Sequence, residues 1–562
     1  MVTADLIILN GKVATVDKDF TFQEGIAVKN GWIIDVGTNG EMQKYIEAKT
    51  QVIDLNGKVI LPAANDAHMH AVHTGFKLGP NCIDVGSPDI RSVKDIQEKI
   101  AEAIKKAPPG AWIYGMGWMG MTIKECAEEG RGLRKEDLDP VSPDNPVMLS
   151  DFGMHTLVVN SKALEIAGID RSFRQLRPEE GIIERDPETG ELTGCFGEWG
   201  AQTLITRHGP LLSDKEIEDC IIRAQKALNK YGITSHTDIV GIGGDNLILG
   251  SWGSRAINIY EKMHREGKLT ARVSCNVFAA IDGIQSYDSI IEGLEKTELP
   301  EFKDRNWVKA ETVKIFCDQG YWRREERLGF NNRSRSVFPG ETDEEQAEEI
   351  TKTILEVHRR GWQIGVHTIG GRSIDTVVKA YVKAQQEYPG KSPRHIIIHG
   401  DDMTMDNVTQ MAKFNIICSP QPIAGRIVAG FMSQNVTVGE ELFNWQEYIN
   451  RGVVVAGGSD STCFSLNWLE GVQFALTRTT IFGQAIRPDL AMKLEDAIRM
   501  YTINGAVQEH MEDIRGSIEV GKVADFQVLG EDIFTVPKEE IGKIPVIMTI
   551  CDGKIVYEAE KA

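Results

Sequence analysis

The sequence predicts an α/β protein: a (β/α)8 TIM-like barrel, a small discontinuous β-sandwich domain formed by both chain termini, and an insertion after the first barrel strand. Three observations carry this. Both ends of the chain are short apolar runs broken by Asn-Gly or Asp-Gly, the signature of tight turns between strands. The middle alternates about eight apolar runs with amphipathic stretches, the rhythm of repeated βα units around a parallel sheet. The histidines and one aspartate fall at the ends of those runs.

Taken in order, LIILNGKVATVD, IAVKNGWIIDVG and VIDLNGKVIL predict three hairpins turning at Asn10-Gly11, Asn30-Gly31 and Asn56-Gly57. Near the C-terminus VIMTICDGKIVYE predicts a fourth at Asp552-Gly553. Isolated hairpins are marginal in water, so the ends are expected to join as one domain, residues 1–60 plus 512–562. The barrel is expected over 61–511, its strands at Leu61 to Asp66 and then from Gly232, Arg272, Thr312, Gln363, His395, Asn415 and Val453. The first gap is too long for one crossover and predicts an insertion at about 77–230, with strand-like PVMLSDFG and helix-like NSKALEIAG. DEEQAEEITKTILEVHRRG reads as an amphipathic helix whose acidic start suits the helix dipole. A doubly wound sheet is the rival topology, but no Gly-rich phosphate fingerprint follows the first strand.

Composition narrows the partners. The 562 residues carry 62 Lys and Arg against 82 Asp and Glu, a net charge of −20 that disfavours nucleic acid and anionic membranes. Nine cysteines show no CxxC spacing, no signal peptide is visible, and no apolar run of about 18 residues exists. A cytoplasmic protein acting on a small molecule is expected.

His68 and His70 in DAHMH are two apart on a strand, so both imidazoles face one side and can reach one metal ion. His367, His399 and Asp460 end later strands, and such ends converge at the C-terminal mouth of a barrel. Four imidazoles and a carboxylate suit zinc or a similar divalent ion. A lone strand histidine is more often a packed core residue; five such groups at strand ends are not. Lys314 lies within apolar VKIF, where an ammonium is costly. It either snorkels to solvent or takes up CO₂ as an anionic carbamate that bridges two cations. Asp318, ending the same strand, is a candidate ligand or substrate contact. His73 reads as a neighbour of the pair, and His236 has a smaller claim on the site. Trp112, Trp118 and Trp199 in the insertion read as packing more readily than as pocket walls.

These residues resemble the amidohydrolase superfamily: DAHMH, the strand lysine, single histidines on strands five and six, and the strand-eight aspartate. YTINGAV and GSIEVGKVADFQVLG look like the C-terminal signature of its imidazolonepropionase and YtcJ-like members. FGMHTLVVNSKALEIAG, GELTGCFGE, SPQP and GGSD are similar to the YtcJ-type branch, which includes N-substituted formamide deformylases (amidohydrolase family 3). The resemblance runs from LIILNGKV to DGKIVY, nearly the whole chain.

The resemblance implies that His68, His70 and Asp460 bind the more buried metal and His367 and His399 a second, with carboxylated Lys314 between them. One or two ions per subunit, most often zinc, and a homodimer are implied with it. His155 in FGMH would contact substrate or the oxyanion, and Asp318, Trp322 and Gln421 are further substrate-binding candidates. Two strings depart from the branch: His367-Thr368-Ile369-Gly370-Gly371 lacks the usual closing acid, and Asp318-Gln319-Gly320 replaces Asp-Gly. A bound metal lowers the pKa of water towards ~7 and polarises a carbonyl, with Asp460 as base and then acid. The expected reaction is hydrolysis of a C–N bond in an amide, N-substituted formamide or related acyl-amine. Opening of a cyclic amide or deamination of a heterocycle is the alternative, and a non-catalytic scaffold is the remote one, since no ligand is missing.

Overall fold

The computed structural model describes residues 3–86, 88–241, 253–318, 336–390, 392–427 and 442–560. Among the described residues, seven parallel barrel strands run in chain order: β1 (Ala64–Met69), β2 (Ile233–Gly241), β3 (Arg272–Phe278), β4 (Val308–Phe316), β5 (Gln363–Thr368), β6 (Ile396–His399) and β7 (Ile417–Ser419). Each pairs with the next in sequence, so the sheet order is the chain order. The strands are buried on both faces, which is why QIGVHT and IIIH are near-continuous apolar runs. Inward side chains of Ala67, Ile396, Ile398, Ile417 and Ala456 form a small cluster of their own.

The eighth run, VVVAGGSD, closes the ring by hydrogen bonds and not as a regular strand. Val455 bridges in parallel to Cys418 of β7. On the other side, Ala67 N donates to Gly457 O at 3.1 Å and Asp460 N to His68 O at 2.8 Å. Asp460 is thereby fixed beside the first histidine pair.

The barrel is wrapped by helices with ordinary start signals. Asp343–Arg359 is capped by Thr342 in a capping box with Glu345, as its acidic start predicts. The chain between β1 and β2 holds a separate six-stranded sheet, ordered Ile182–Arg185, Leu192–Gly197, Thr156–Val159, Val147–Asp151, Ile113–Trp118 and Cys82–Asp84. Helix Ser161–Ala167 packs with it.

The chain ends form two further sheets. One is ordered Trp32–Gly37, Gly25–Lys29, Leu6–Leu9, Gln51–Asp54; the other Lys554–Glu558, Val546–Cys551, Phe526–Leu529, Val59–Pro62, Lys12–Ala14, Phe22–Gln23. Leu6, Ile8, Val13, Ile26, Ile60, Phe526, Val528 and Ile550 pack between them. Asn30-Gly31 and Asp552-Gly553 do close two-residue hairpins, with positive φ at both positions and Lys29 opposite Trp32 and Cys551 opposite Lys554.

Two expected hairpins are different. Leu6–Leu9 and Lys12–Ala14 lie in different sheets, as do Gln51–Asp54 and Val59–Pro62. Asn10-Gly11 and Asn56-Gly57 therefore carry the chain from one sheet to the other, and the strands they join run parallel to each other's counterparts. A sheet-switching corner needs the same positive φ at Asn10 and Asn56 that a hairpin needs. The first barrel strand also begins later than expected: Leu61 and Pro62 pair with Phe526–Leu529 in the terminal sheet.

Candidate metal centre

The ends of β1, β5 and β6 and the eighth segment meet at one mouth. His68 Nε2 and His70 Nε2 stand 3.5 and 3.3 Å from Asp460 Oδ1. These three ligand atoms lie within 4.8 Å of one another, the span of one coordination sphere. Beside them His399 Nε2 is 2.9 Å from His367 Nδ1, and the His68 and His399 rings are 5.6 Å apart. His399 Nδ1 bonds the side-chain amide oxygen of Gln421, a pairing that suits the Nδ1-protonated tautomer and leaves Nε2 to accept a hydrogen bond or a metal.

Lys314 points into this cluster from β4. Its side chain is 1% exposed, and Nζ has no hydrogen-bond partner among the described residues, only the face of Phe316 at 4.4 Å. Burial lowers its pKa to about 7, against the pull of Asp460. A neutral amine at ordinary pH is the form that attacks CO₂. Burial likewise holds His399 at about 4, and burial with the neighbouring Lys314 and imidazole charges holds His68 and His367 well below the ordinary range. For Asp460, burial would raise the carboxyl, but His70 and His399 hold it below its usual value. Imidazoles that burial keeps uncharged at His68, His367 and His399, with an ionised Asp460 and a buried amine, are the donors a divalent cation needs, since ligands must offer lone pairs.

The insertion supplies one more group. His155, just before strand Thr156–Val159, brings its ring centroid to 5.1 Å from that of His367. Its Nδ1 lies 3.2 Å from both oxygens of Glu198. Burial disfavours its charge, but Glu198 outweighs this and lifts it to about 9. Trp199 packs its ring 5.0 Å from His155, whereas Trp118 lies in the insertion core with Nε1 bonded to Leu149 O.

Asp318 is fully buried beside the cluster, and its oxygens face the loop after β5. They accept from Ile369 N at 3.2 Å, Gly370 N at 2.8 Å and the Ser373 hydroxyl, with His367 Nε2 at 3.6 Å. It thus braces the loop that follows His367. Gln421 is also buried and reaches His399. Trp322, Gln319 and Gly320 lie outside the described residues. His73, in helix Ala71–Lys77, sits 5.9 Å from the His70 ring, while His236 packs towards Tyr260 at 6.4 Å.

Sequence reasoning missed Glu198 and the pattern of backbone strain. Met154, Glu198, His399 and Asp460, all non-glycine, have positive φ. Such residues cluster where the surroundings hold a functional geometry in place.

Comparison with known proteins agrees with this geometry. A model of the Amidohydrolase family matches residues 51–557. The chain is 27% identical over 545 residues to putative amidohydrolase YtcJ of Bacillus subtilis (95% of this chain, 96% of the relative). It is 26% identical over 572 residues to an N-substituted formamide deformylase of Arthrobacter pascens (99% and 98%). Among solved structures, an uncharacterized metal-dependent hydrolase from Pyrococcus horikoshii shares the fold at TM-score 0.70 and 19% identity, covering 95% of this chain and 99% of that one. Among the described residues, no helix is long and apolar enough to cross a membrane.

Proposed function

The chain belongs to the amidohydrolase family, and from that premise we propose that it hydrolyses the C–N bond of a small amide, with an N-substituted formamide or related acyl-amine as substrate class. The observation that carries the reading is the convergence of His68 Nε2, His70 Nε2 and Asp460 Oδ1 beside His367, His399 and the Lys314 amine, which has no hydrogen-bond partner among the described residues. The formamide class is supported by similarity to the deformylase over 99% of this chain.

His68, His70 and Asp460 would hold one ion and His367 and His399 a second, with Lys314, carboxylated by CO₂, between them. Imidazole and carboxylate donors favour zinc. When bound, such ions supply Lewis acidity that activates water and polarises the scissile carbonyl.

The chain's own residues then handle protons and charge. Asp460, held ionised beside the His68 and His70 imidazoles, accepts a proton from the attacking water and returns it to the departing nitrogen. His155, protonated by its pairing with Glu198, donates to the oxygen that becomes negative as the carbonyl turns tetrahedral. Gln421 keeps the His399 proton on Nδ1.

The test has two arms. Metal analysis with and without bicarbonate should give about two equivalents per chain in the wild type and a loss in Lys314→Met; one equivalent in both would remove Lys314 from the site. Asp460 has φ 53°, a conformation asparagine tolerates. Asp460→Asn should therefore keep the fold while lowering kcat by about 10³-fold or more, on a panel of formamides, acyl amino acids, cyclic ureas and heterocyclic amines. Wild-type turnover confined to the cyclic ureas or amines would replace the proposed substrate class.

A further inference from the structure

We infer that Glu198 is a positioning residue, its carboxylate held across His155 Nδ1 by a strained backbone so that the opposite edge of the ring is presented to the metal-ligand cluster. The inference rests on the hydrolytic reading above for what His155 does there, but the geometry of the pair stands without it.

The pair is delivered by strand register. Thr156 lies opposite Gly197 in the antiparallel pairing of the insertion sheet, so the next residues outward, His155 and Glu198, face each other where the ladder ends. Glu198 N donates to His155 O at 2.9 Å, continuing the ladder by one bond. Gln202 Nε2, one turn into helix Trp199–Thr206, donates to Met154 O at 3.1 Å. The main chain on both sides of the His155 Cα is thus tied to the segment that carries Glu198. The side chains complete the arrangement, with Nδ1 equidistant from both carboxylate oxygens at 3.2 Å.

The backbone at Glu198 sets it apart from an ordinary surface pair. Its φ of 66° and ψ of 159° fall in a region that is essentially restricted to glycine. A glycine would adopt this turn without steric strain, so what the strained residue adds is its carboxylate. That carboxylate is buried (10% side-chain exposure) while the imidazole it holds is the more open of the two at 25%. The ring is walled by Trp199 at 5.0 Å and Phe316 at 6.2 Å and approaches His367 at 5.1 Å. With Nδ1 committed to Glu198, Nε2 is the atom left to meet a substrate. Exposure and strain are distributed as a positioning role requires: strain and burial on the holder, access on the held group.

The test compares full-length, metal-loaded wild type with Glu198→Gly, Glu198→Gln, His155→Asn and the Glu198→Gly/His155→Asn double variant. In crystal structures of Glu198→Gly the His155 ring should turn away from its wild-type place or occupy several positions. An unmoved ring overturns the inference. The same variant should unfold at a higher temperature, because glycine relieves the strain. A lower midpoint would make Glu198 a structural residue and overturn it as well. In kinetics, Glu198→Gly should lower kcat by about 100-fold with KM little changed, Glu198→Gln should recover part of that, and the double variant should be no slower than His155→Asn alone. Losses that multiply in the double variant would show that Glu198 acts apart from His155. If the wild type hydrolyses no C–N substrate, the reading of the reaction fails, and ring position and unfolding temperature alone decide the role of Glu198.

Discussion

Arg272, the first residue of barrel strand β3, and Asp525, just before terminal strand Phe526–Leu529, form a buried ion pair that ties the barrel to the terminal sheets. Arg272 Nε donates to Asp525 Oδ2 at 2.9 Å and Nη2 to Oδ1 at 3.1 Å, with side-chain exposures of 0% and 7%. The guanidinium stacks 4.2 Å from the Trp307 ring, and Asp525 also accepts from Asp552 N at 2.8 Å and Thr234 Oγ1 at 3.1 Å. Both oxygens of the carboxylate are used, so its loss strips the buried cation of its close counter-charge and leaves it the longer contact to the more exposed Asp552, Nη2 to Oδ1 at 3.4 Å. Asp525→Ala should destabilise the protein by about 3–5 kcal/mol, read as a drop in denaturation midpoint. Arg272→Met with Asp525→Leu should recover much of that loss, because the stranded charge is gone. A single variant unfolding with the wild type would refute the coupling.

A second prediction concerns the join between β1 and the eighth segment. A Cβ built at Gly458 would lie 2.7 Å from His68 N and 2.8 Å from both His68 Cβ and O. Two of those three atoms are backbone on a buried barrel strand and cannot give way. Gly458→Ala must therefore push the eighth segment off β1, carrying Asp460 away from His68 and His70. Metal affinity should fall about 10- to 100-fold, the scale seen when the support of a ligand is disturbed. Dialysis against graded chelator followed by metal analysis measures this; unchanged retention would mean that the ligand trio does not depend on this contact.

Much of this architecture is visible in the amino-acid sequence because of how parallel sheets are buried. Strands covered on both faces become unbroken apolar runs, so a histidine closing QIGVH or IIIH stands out against them, and so does a lysine inside VKIF. What stayed hidden had physical causes. VILPAAND is one apolar run serving two sheets, so nothing in it marks the passage from Val59–Pro62 to Ala64–Met69. Asn-Gly reports a need for positive φ but not which sheet the next strand joins, hence the two corners misread as hairpins. Asp318 at a strand end has the pattern of a ligand, yet its oxygens turn back to the amides of Ile369 and Gly370. Glu198 was beyond reach altogether: glutamate is not a residue that advertises a left-handed backbone, and its partner lies 43 residues away across a sheet register.

The last prediction separates two opposing pH effects. His236 is fully buried on β2, its ring nitrogens have no close hydrogen-bond partner among the described residues, and burial lowers its pKa from 6.5 to about 4 although Glu509 pulls the other way. Between those values the unfolded chain binds the extra proton, so this residue's contribution to stability is present above pH ~6.5 and is lost as pH falls towards ~4. Asp66, Asp238 and Asp401 have the opposite sign: burial raises each from 3.8 to about 7, so the folded state binds more protons between these values and gains stability as pH falls through them. The two groups mask each other in the wild-type profile, and only a difference between variants isolates one. His236→Leu, of similar volume and without a titrating ring, should become more stable relative to wild type by about 2 kcal/mol between pH 7.5 and pH 5, by linkage across that shift. Urea unfolding of both proteins at the two pH values measures it. Parallel stability curves would show that His236 finds a partner for its proton in solution and that the acid-side loss arises elsewhere.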